Sequence, residues 1–318
     1  MSSRFIPITY YICLVFIGSC DDKPLSVTRG SFESMGTMVI VQPASATHIV
    51  QEIFERVDSQ MSEWKVNSPL SVVNAQAGKS PVVCPPALCS AIALALSISK
   101  QTEGAFDPTW AALWDLWDFK NPRLPKVSEI SSRLPLVNWK NVVLDGSSVF
   151  LAKKGMALGL GGIAKGIALN QARDALLSHE INDFMIVVGG QVLVHGDRRR
   201  IGIRKPDVLQ NEYIGIVEIE NKCISTSGDY EKYFEDKGIR YHHILDPSTG
   251  YPARGLRSVT VIANDAAVAD ALSTGLFVMG LSDAMRLVEH AFDIEALFID
   301  SHNVVFASSG FQFCLENK

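Results

Sequence analysis

Residues 159–190 read GLGGIAKGIALNQARDALLSHEINDFMIVVGG, and this stretch chooses between two fold classes. Gly159, Gly161, Gly162 and Gly166 make a turn that leads into a helix through about Leu177, and Phe184–Val188 is an unbroken apolar run that reads as a buried strand ending in Gly189-Gly190. Backbone N–H groups in such a turn can approach a phosphate at a helix N-terminus. The same glycines serve as a tight turn between packed elements. A loose G-x-G-x-x-A is satisfied, but no Gly-Lys-Ser/Thr follows at P-loop spacing. A doubly wound dinucleotide-binding domain also needs βαβ alternation from its start, and the flanking sequence lacks it.

Working outward, Phe32–Val41 reads as one strand containing Met35-Gly36-Thr37. Apolar residues from Ile49 to Met61 fall at helical spacing, the helix ending near Trp64 before a polar stretch to Asn74. A second helix is expected over about Pro86–Thr102, then an aromatic segment (Phe106, Trp110, Trp114, Trp117, Phe119). A hairpin is expected around Asp145-Gly146. Strands recur at Ile201–Arg204, Ile214–Ile219 and Ser258–Ala263. Helices are expected over Asp265–Met279 and about Ser282–Ala291, with a closing hairpin around Ser301-His302-Asn303. The elements alternate irregularly, no repeat is visible and no long linker divides the chain. The reading is α+β: a single compact catalytic unit over 31–318, with mixed or antiparallel sheets and packed helices.

The composition suits a packed core: 47% of residues are apolar and 20% charged. The net charge of −5 and the lack of a basic run interleaved with aromatics argue against nucleic-acid binding. The N-terminus differs from the rest. Arg4 precedes an uncharged apolar run, Phe5–Ile17, too short to span a membrane comfortably, and Ile17-Gly18-Ser19-Cys20 has the pattern of a bacterial lipobox. Residues 1–19 are expected to be a lipoprotein signal peptide, with Cys20 the lipidated first residue of a polar tether over 20–30. An ordinary signal peptide that happens to hold a cysteine is the alternative. Cys84 and Cys89 bracket Pro-Pro-Ala-Leu and are open to two readings, a short-loop disulfide or two thiols.

Three further constellations carry possible chemistry. On a helix, Asp270 and Thr274 share one face, and a carboxylate plus a hydroxyl suit Mg²⁺; an Asp near a helix start and a small packing residue would look the same. His242-His243 precede Asp246-Pro-Ser-Thr-Gly250, strong turn chemistry that would end their strand and fix His243 near a site. Trp64, just past a helix end, could stack on a flat heterocycle or simply pack.

In order, Ser34–Thr37, Met61–Asn74, Gly104–Thr109, Leu160–Gly166, Val188–Gln191, Gly202–Pro206, Ile224–Tyr230, His243–Gly250 and Ala269–Thr274 resemble the ApbE family of FAD:protein FMN transferases, across nearly the whole chain after Cys20. The resemblance implies a T-fold-related α+β unit. It implies an FAD site lined by Met35, Trp64, Ala105, Phe106, Asp107, Lys165 and Leu245, with Trp64 facing the isoalloxazine. It also implies Mg²⁺ held by Asp270, Thr274 and a backbone carbonyl of the turn, that of Gly162, and a catalytic His243. The implied reaction transfers the FMN half of FAD to a Ser/Thr hydroxyl of an acceptor protein and releases AMP. The implied acceptors are subunits of membrane redox complexes or other extracytoplasmic electron carriers, reached from the periplasmic side of the inner membrane by a lipid-anchored enzyme. An FAD pyrophosphatase and a non-enzymatic FAD-binding lipoprotein are the alternatives. Two positions depart from the family pattern: Gly159 stands where many members have Asp, and Asn170 likewise replaces an acidic residue.

Overall fold

The computed structural model describes residues 28–206 and 212–315. The signal segment, Cys20 and all but the last residues of the expected tether lie outside them. Gly30 begins the first strand rather than ending the tether.

The chain begins with β1 (Gly30–Ser34) and β2 (Thr37–Gln42), two strands where the sequence suggested one. Met35 and Gly36 turn the chain back with φ of 50° and 71°. A two-residue turn with both φ positive matches the twist of a hairpin, and glycine suits it; Met35 carries about 1–2 kcal/mol of left-handed strain. Next come α1 (Thr47–Met61) and α2 (Pro69–Ala75). α2 falls in the stretch that the sequence marks only as polar. Ser68 caps it by accepting from Ser71 N–H, and Pro69 supplies a fixed first φ. Then follow β3 (Val82–Val83), α3 (Pro86–Gln101), a 3₁₀ segment (Pro108–Leu116), α4 (Val127–Arg133), and the expected hairpin β4 (Val142–Asp145) and β5 (Ser148–Leu151). The Gly-rich turn then opens α5 (Ala164–Ser178), and no strand runs directly into it, so the turn is not of the βαβ type.

The remaining elements are β6 (Phe184–Val188), β7 (Gln191–His195), β8 (Arg199–Arg204), β9 (Tyr213–Ile219), β10 (Cys223–Gly228), β11 (Tyr233–Asp236), β12 (Ile239–His242), β13 (Leu256–Ala263), α6 (Ala266–Met279), α7 (Leu281–Glu289), β14 (Ile294–Asp300), β15 (Val305–Ala307) and β16 (Cys314–Leu315). Eight strands form one antiparallel sheet in the order β1-β2-β6-β7-β10-β13-β14-β15. Its two faces are both covered, which the alternation of β6 shows. Phe184, Ile186 and Val188 enter the core beneath the helices, while Met185 and Val187 enter a second core. That second core also takes Ile201, Ile203, Val217 and Ile219 from the small sheet β16-β9-β8. A strand buried on both sides has no polar alternation, hence the unbroken apolar run. The fold is α+β, and no parallel strand pair occurs among the described residues.

Helices α1, α5 and α6 pack together on the first face. A third core of Leu113, Leu116, Trp117, Ile130, Phe234 and Leu245 fastens the 3₁₀ segment to the β11–β12 hairpin. Cys84 and Cys89 stand as two buried free thiols; burial, with the neighbouring Cys89, pushes Cys84 up to about 11.

Candidate active site

α6 starts on a firm cap: Asp265 accepts from the N–H groups of Ala267 and Val268 at 2.8 and 3.0 Å. Its small residues then let α5 approach very closely. A Cβ on Gly166 would stand 2.2 Å from the carbonyl oxygen of Ala266, so only glycine fits. Asn170 locks the same junction, donating to the Asp265 carboxylate (2.8 Å) and accepting from Ala266 N–H (3.0 Å). An acidic residue at 170 would face Asp265 without a proton to offer, which accounts for Asn in this chain.

The approach brings the Gly-rich turn onto Asp270. This buried carboxylate accepts from Gly166 N–H at 3.2 Å and lies 3.8 Å from the Lys165 ammonium, which donates to Gly161 carbonyl oxygen at 2.8 Å. Thr274 follows one helical turn later. A Cβ on Gly162 would lie 3.7 Å from Thr274 Oγ1 and 3.2 Å from the Phe106 ring. Phe106 is held there because Gly275 leaves room for it on α6: a Cβ at 275 would meet Phe106 Cβ at 3.1 Å. Thus Gly162, Lys165, Asp270, Thr274 and Phe106 converge. The oxygen donors on offer are a carboxylate, a hydroxyl and turn carbonyls, a hard set that fits Mg²⁺. An ammonium already bridges toward both the carbonyl and the carboxylate, so the position favours a cation.

Asp107 has a different local job. Its Oδ1 accepts from Thr109 N–H and hydroxyl at 2.8 and 2.6 Å, and its Oδ2 from Trp139 N–H at 2.9 Å. Burial pushes its carboxyl up, and these bonds pull it back. The residue fixes the shape of the 105–109 segment. Asn74 does likewise for the approach to the turn, exchanging two hydrogen bonds with the backbone of Leu158 (2.9 and 2.7 Å).

β12 ends at His242, and the Asp246–Gly250 turn follows. Asp246 accepts from Ser248 N–H (2.8 Å) and hydroxyl (2.7 Å), and Gly250 N–H returns to Asp246 carbonyl oxygen at 2.8 Å. Leu245 bridges to Pro252 and packs in the third core. His242 is buried, donates from Nε2 to Ala253 carbonyl oxygen (2.9 Å) and accepts at Nδ1 from Ile244 N–H (3.3 Å), a pattern only a neutral ring can make. Burial drives it down to about 4. His243 is half-buried; burial, then the positive Lys232, drive it down to about 3, with Lys165 adding a smaller push. Its Nδ1 is sealed without a hydrogen-bond partner among the described residues. A buried polar atom left unpaired costs about 1–3 kcal/mol.

Trp64 is 58% exposed. The Trp64 and Trp114 rings pack edge to face with centroids 4.8 Å apart, and those of Trp114 and Trp110 likewise at 5.0 Å. Trp110 ends this ladder on the Gly-rich turn, its Nε1 donating to Gly159 carbonyl oxygen at 3.3 Å. A Cβ at 159 would lie 3.0 Å from the Trp110 ring. The indole therefore occupies the space a side chain at 159 would need, which is the local reason for glycine there. Met35 sits at the β1–β2 turn. That turn abuts Gly189, whose Cβ would lie 4.0 Å from Thr37 Oγ1, and Gly190 in turn presses on the Thr226 carbonyl of β10.

Sequence reasoning missed Glu63. Its half-buried carboxyl is pushed up by burial and pulled down by the nearby Lys165 and Leu160 N–H, and its Oε1 would be 3.7 Å from a Cβ on Gly161. It also missed Lys232, pushed down by burial and by Lys165, and the hydroxyls of Ser225 and Ser227 on β10 that meet Ser273 of α6. Glu63, Ser225, Ser227 and Ser273 fall in the blocks that carry the family resemblance, but which groups they face is set by residues far away in the chain. Cys20 is outside the described residues.

The sequence profile of the ApbE family matches residues 35–298. An FAD:protein FMN transferase of Vibrio cholerae is 32% identical, aligned over 94% of this chain and 96% of its own. One of Treponema pallidum is also 32% identical, over 94% and 92%. Among solved structures, the ApbE protein of Thermotoga maritima superposes with a TM-score of 0.82 at 34% identity, covering 88% of this chain and 96% of its own. The flavin transferase ApbE of Vibrio cholerae gives 0.81 at 30%, covering 89% and 97%. With a match spanning most of the chain in sequence and in fold, the chain belongs to the ApbE family.

Proposed function

We propose that this protein is an FAD:protein FMN transferase that uses Mg²⁺ and moves the FMN half of FAD onto a Ser or Thr hydroxyl of an acceptor protein. The observation that carries the reading is the convergence of Asp270, Thr274, Gly162 and Lys165, which offers hard oxygen donors and a cation beside the Gly-rich turn. A pyrophosphate needs this combination.

FAD is the substrate. Lys165 would take its phosphates at the turn, and the exposed Trp64 would take its flat ring. Asp270, Thr274 and the Gly162 carbonyl would hold Mg²⁺, which would supply positive charge to offset that of a pyrophosphate. The acceptor hydroxyl attacks the FMN-side phosphorus; the P–O bond to AMP breaks and a phosphoester forms. His243 takes the hydroxyl proton. Burial and Lys232 keep its ring neutral, so the base form is present throughout the neutral range. The Lys165 ammonium would meet the charge that develops on phosphorus-bound oxygens.

The acceptors we assign are subunits of membrane redox complexes or other extracytoplasmic electron carriers. The lipobox supports lipidation at Cys20 and a place on the periplasmic side of the inner membrane. The test incubates purified protein with FAD and Mg²⁺, with and without a Ser/Thr-containing acceptor peptide. A peptide heavier by one FMN moiety, with AMP released only when peptide is present, supports transfer. AMP and free FMN with no adduct would make the protein a pyrophosphatase, and bound FAD with no AMP would make it a binding protein.

A further inference from the structure

β10 runs beside α6, and Ser225 and Ser227, two residues apart on the strand, share the face turned to the helix. Ser225 Oγ lies 3.3 Å from Ser273 Oγ. Ser227 Oγ lies 2.8 Å from Ser273 Oγ and 3.2 Å from Thr274 Oγ1. Ser273 Oγ in turn stands 2.8 Å from the backbone carbonyl oxygen of Asp270.

These contacts fix where the hydroxyl protons go. A carbonyl oxygen only accepts, so Ser273 spends its one proton on Asp270. The lone pairs of Ser273 then accept from Ser225 and Ser227. With the Ser227 proton committed to Ser273, Thr274 must donate in the Ser227–Thr274 contact. A threonine inside a helix ordinarily bonds back to the carbonyl four residues earlier. Here that carbonyl belongs to Asp270 and Ser273 already sits on it.

We infer that Ser227 is a positioning residue: it draws the Thr274 hydroxyl proton to the strand side of α6 and leaves the Thr274 lone pairs facing the Gly-rich turn, ready to ligate a divalent cation beside Asp270. A metal-bound hydroxyl needs its proton directed away from the cation, and outer residues that fix such an orientation govern affinity. The inference rests on the metal reading given above.

The test is Mn²⁺ binding by the full chain with FAD present, followed by the electron paramagnetic resonance signal of free Mn²⁺. The variants are S227A, S227T and S225A. Ser227→Ala should weaken Mn²⁺ binding about tenfold without lowering the melting temperature of the metal-free protein. Ser227→Thr, which keeps an acceptor oxygen, should restore affinity. Ser225→Ala should leave affinity unchanged, because Ser225 touches Ser273 but has no contact with Thr274. Wild-type affinity in S227A would overturn the inference, and so would equal weakening in S225A, which would point to packing of the hydroxyl cluster. A wild-type protein that binds no Mn²⁺ would sink the metal assignment itself, and the orienting role with it.

Discussion

Replacing Gly166 by alanine tests how far the site depends on the contact between α5 and α6. Helix propensity alone favours the change by about 1 kcal/mol, since alanine is the better helix former. The structure predicts the opposite sign. The added Cβ would lie 2.2 Å from the Ala266 carbonyl oxygen and 2.5 Å from Ala267 Cα, where ordinary contact starts at 3.4 Å. Both are backbone atoms and cannot rotate aside, so the helices must part by about 1 Å. Overpacking of this kind costs about 1–3 kcal/mol. Parting also stretches the 3.2 Å bond from Gly166 N–H to Asp270, and a bond to a charged group contributes about 1.5–3 kcal/mol. Net of the propensity gain the cost is about 3 kcal/mol, or a fall in melting temperature on the order of 10 °C. Moving Asp270 away from the turn by about 1 Å should also lower turnover about 100-fold. Calorimetry and AMP release measured on the same preparation decide it. A Gly166→Ala protein that melts at or above the wild-type temperature would falsify the packing argument, and one that is destabilised yet fully active would separate the helix contact from the chemistry.

His243→Ala should stop transfer to peptide while leaving FAD affinity nearly unchanged by fluorescence titration; a parallel loss of FAD binding would count against the role as base. Asp270→Ala should lose at least 100-fold in turnover and all dependence on Mg²⁺, and wild-type activity in that variant would remove the metal assignment. Stability should fall on acidification. His242 and His243 are neutral in the folded protein, with values pushed to about 4 and about 3, whereas the unfolded chain takes up protons below about 6.5. Their contribution is therefore complete above pH 6.5 and is lost as the pH falls toward 4 and then 3, at up to about 1.4 kcal/mol per pH unit for each ring. Melting curves at pH 7 and pH 5 should show the drop, and His242→Gln should reduce it. Gly159→Asp should destabilise the protein by about 1–3 kcal/mol, because the new side chain meets Trp110; a neutral result would mean that the indole swings away freely.

The sequence by itself determined the local chemistry. Glycine clusters, the Asp246–Gly250 turn and the 3.6-residue periodicity of α1 act within a few residues of chain, so they are legible without the fold. The i,i+4 pairing of Asp270 and Thr274 is of the same kind. Ordered blocks spread along the chain were enough to name the family, because their joint order is specific where each alone is not. The tertiary structure decided what those signals are for. Met35-Gly36 became a hairpin turn instead of the middle of a strand, because the register across β1 and β2 is set by pairing partners and not by the local apolar run. α2 was hidden because a short helix shows too few turns of periodicity, and its Ser68 cap is meaningful only once its core contacts exist. Glycine at 159 follows from the packing of Trp110, and asparagine at 170 from the proximity of Asp265. Glu63, Lys232 and Ser227 reach the site from distant parts of the chain. No sequence spacing records such proximity; it exists only once α5 and α6 close on the sheet and bury their small residues against one another.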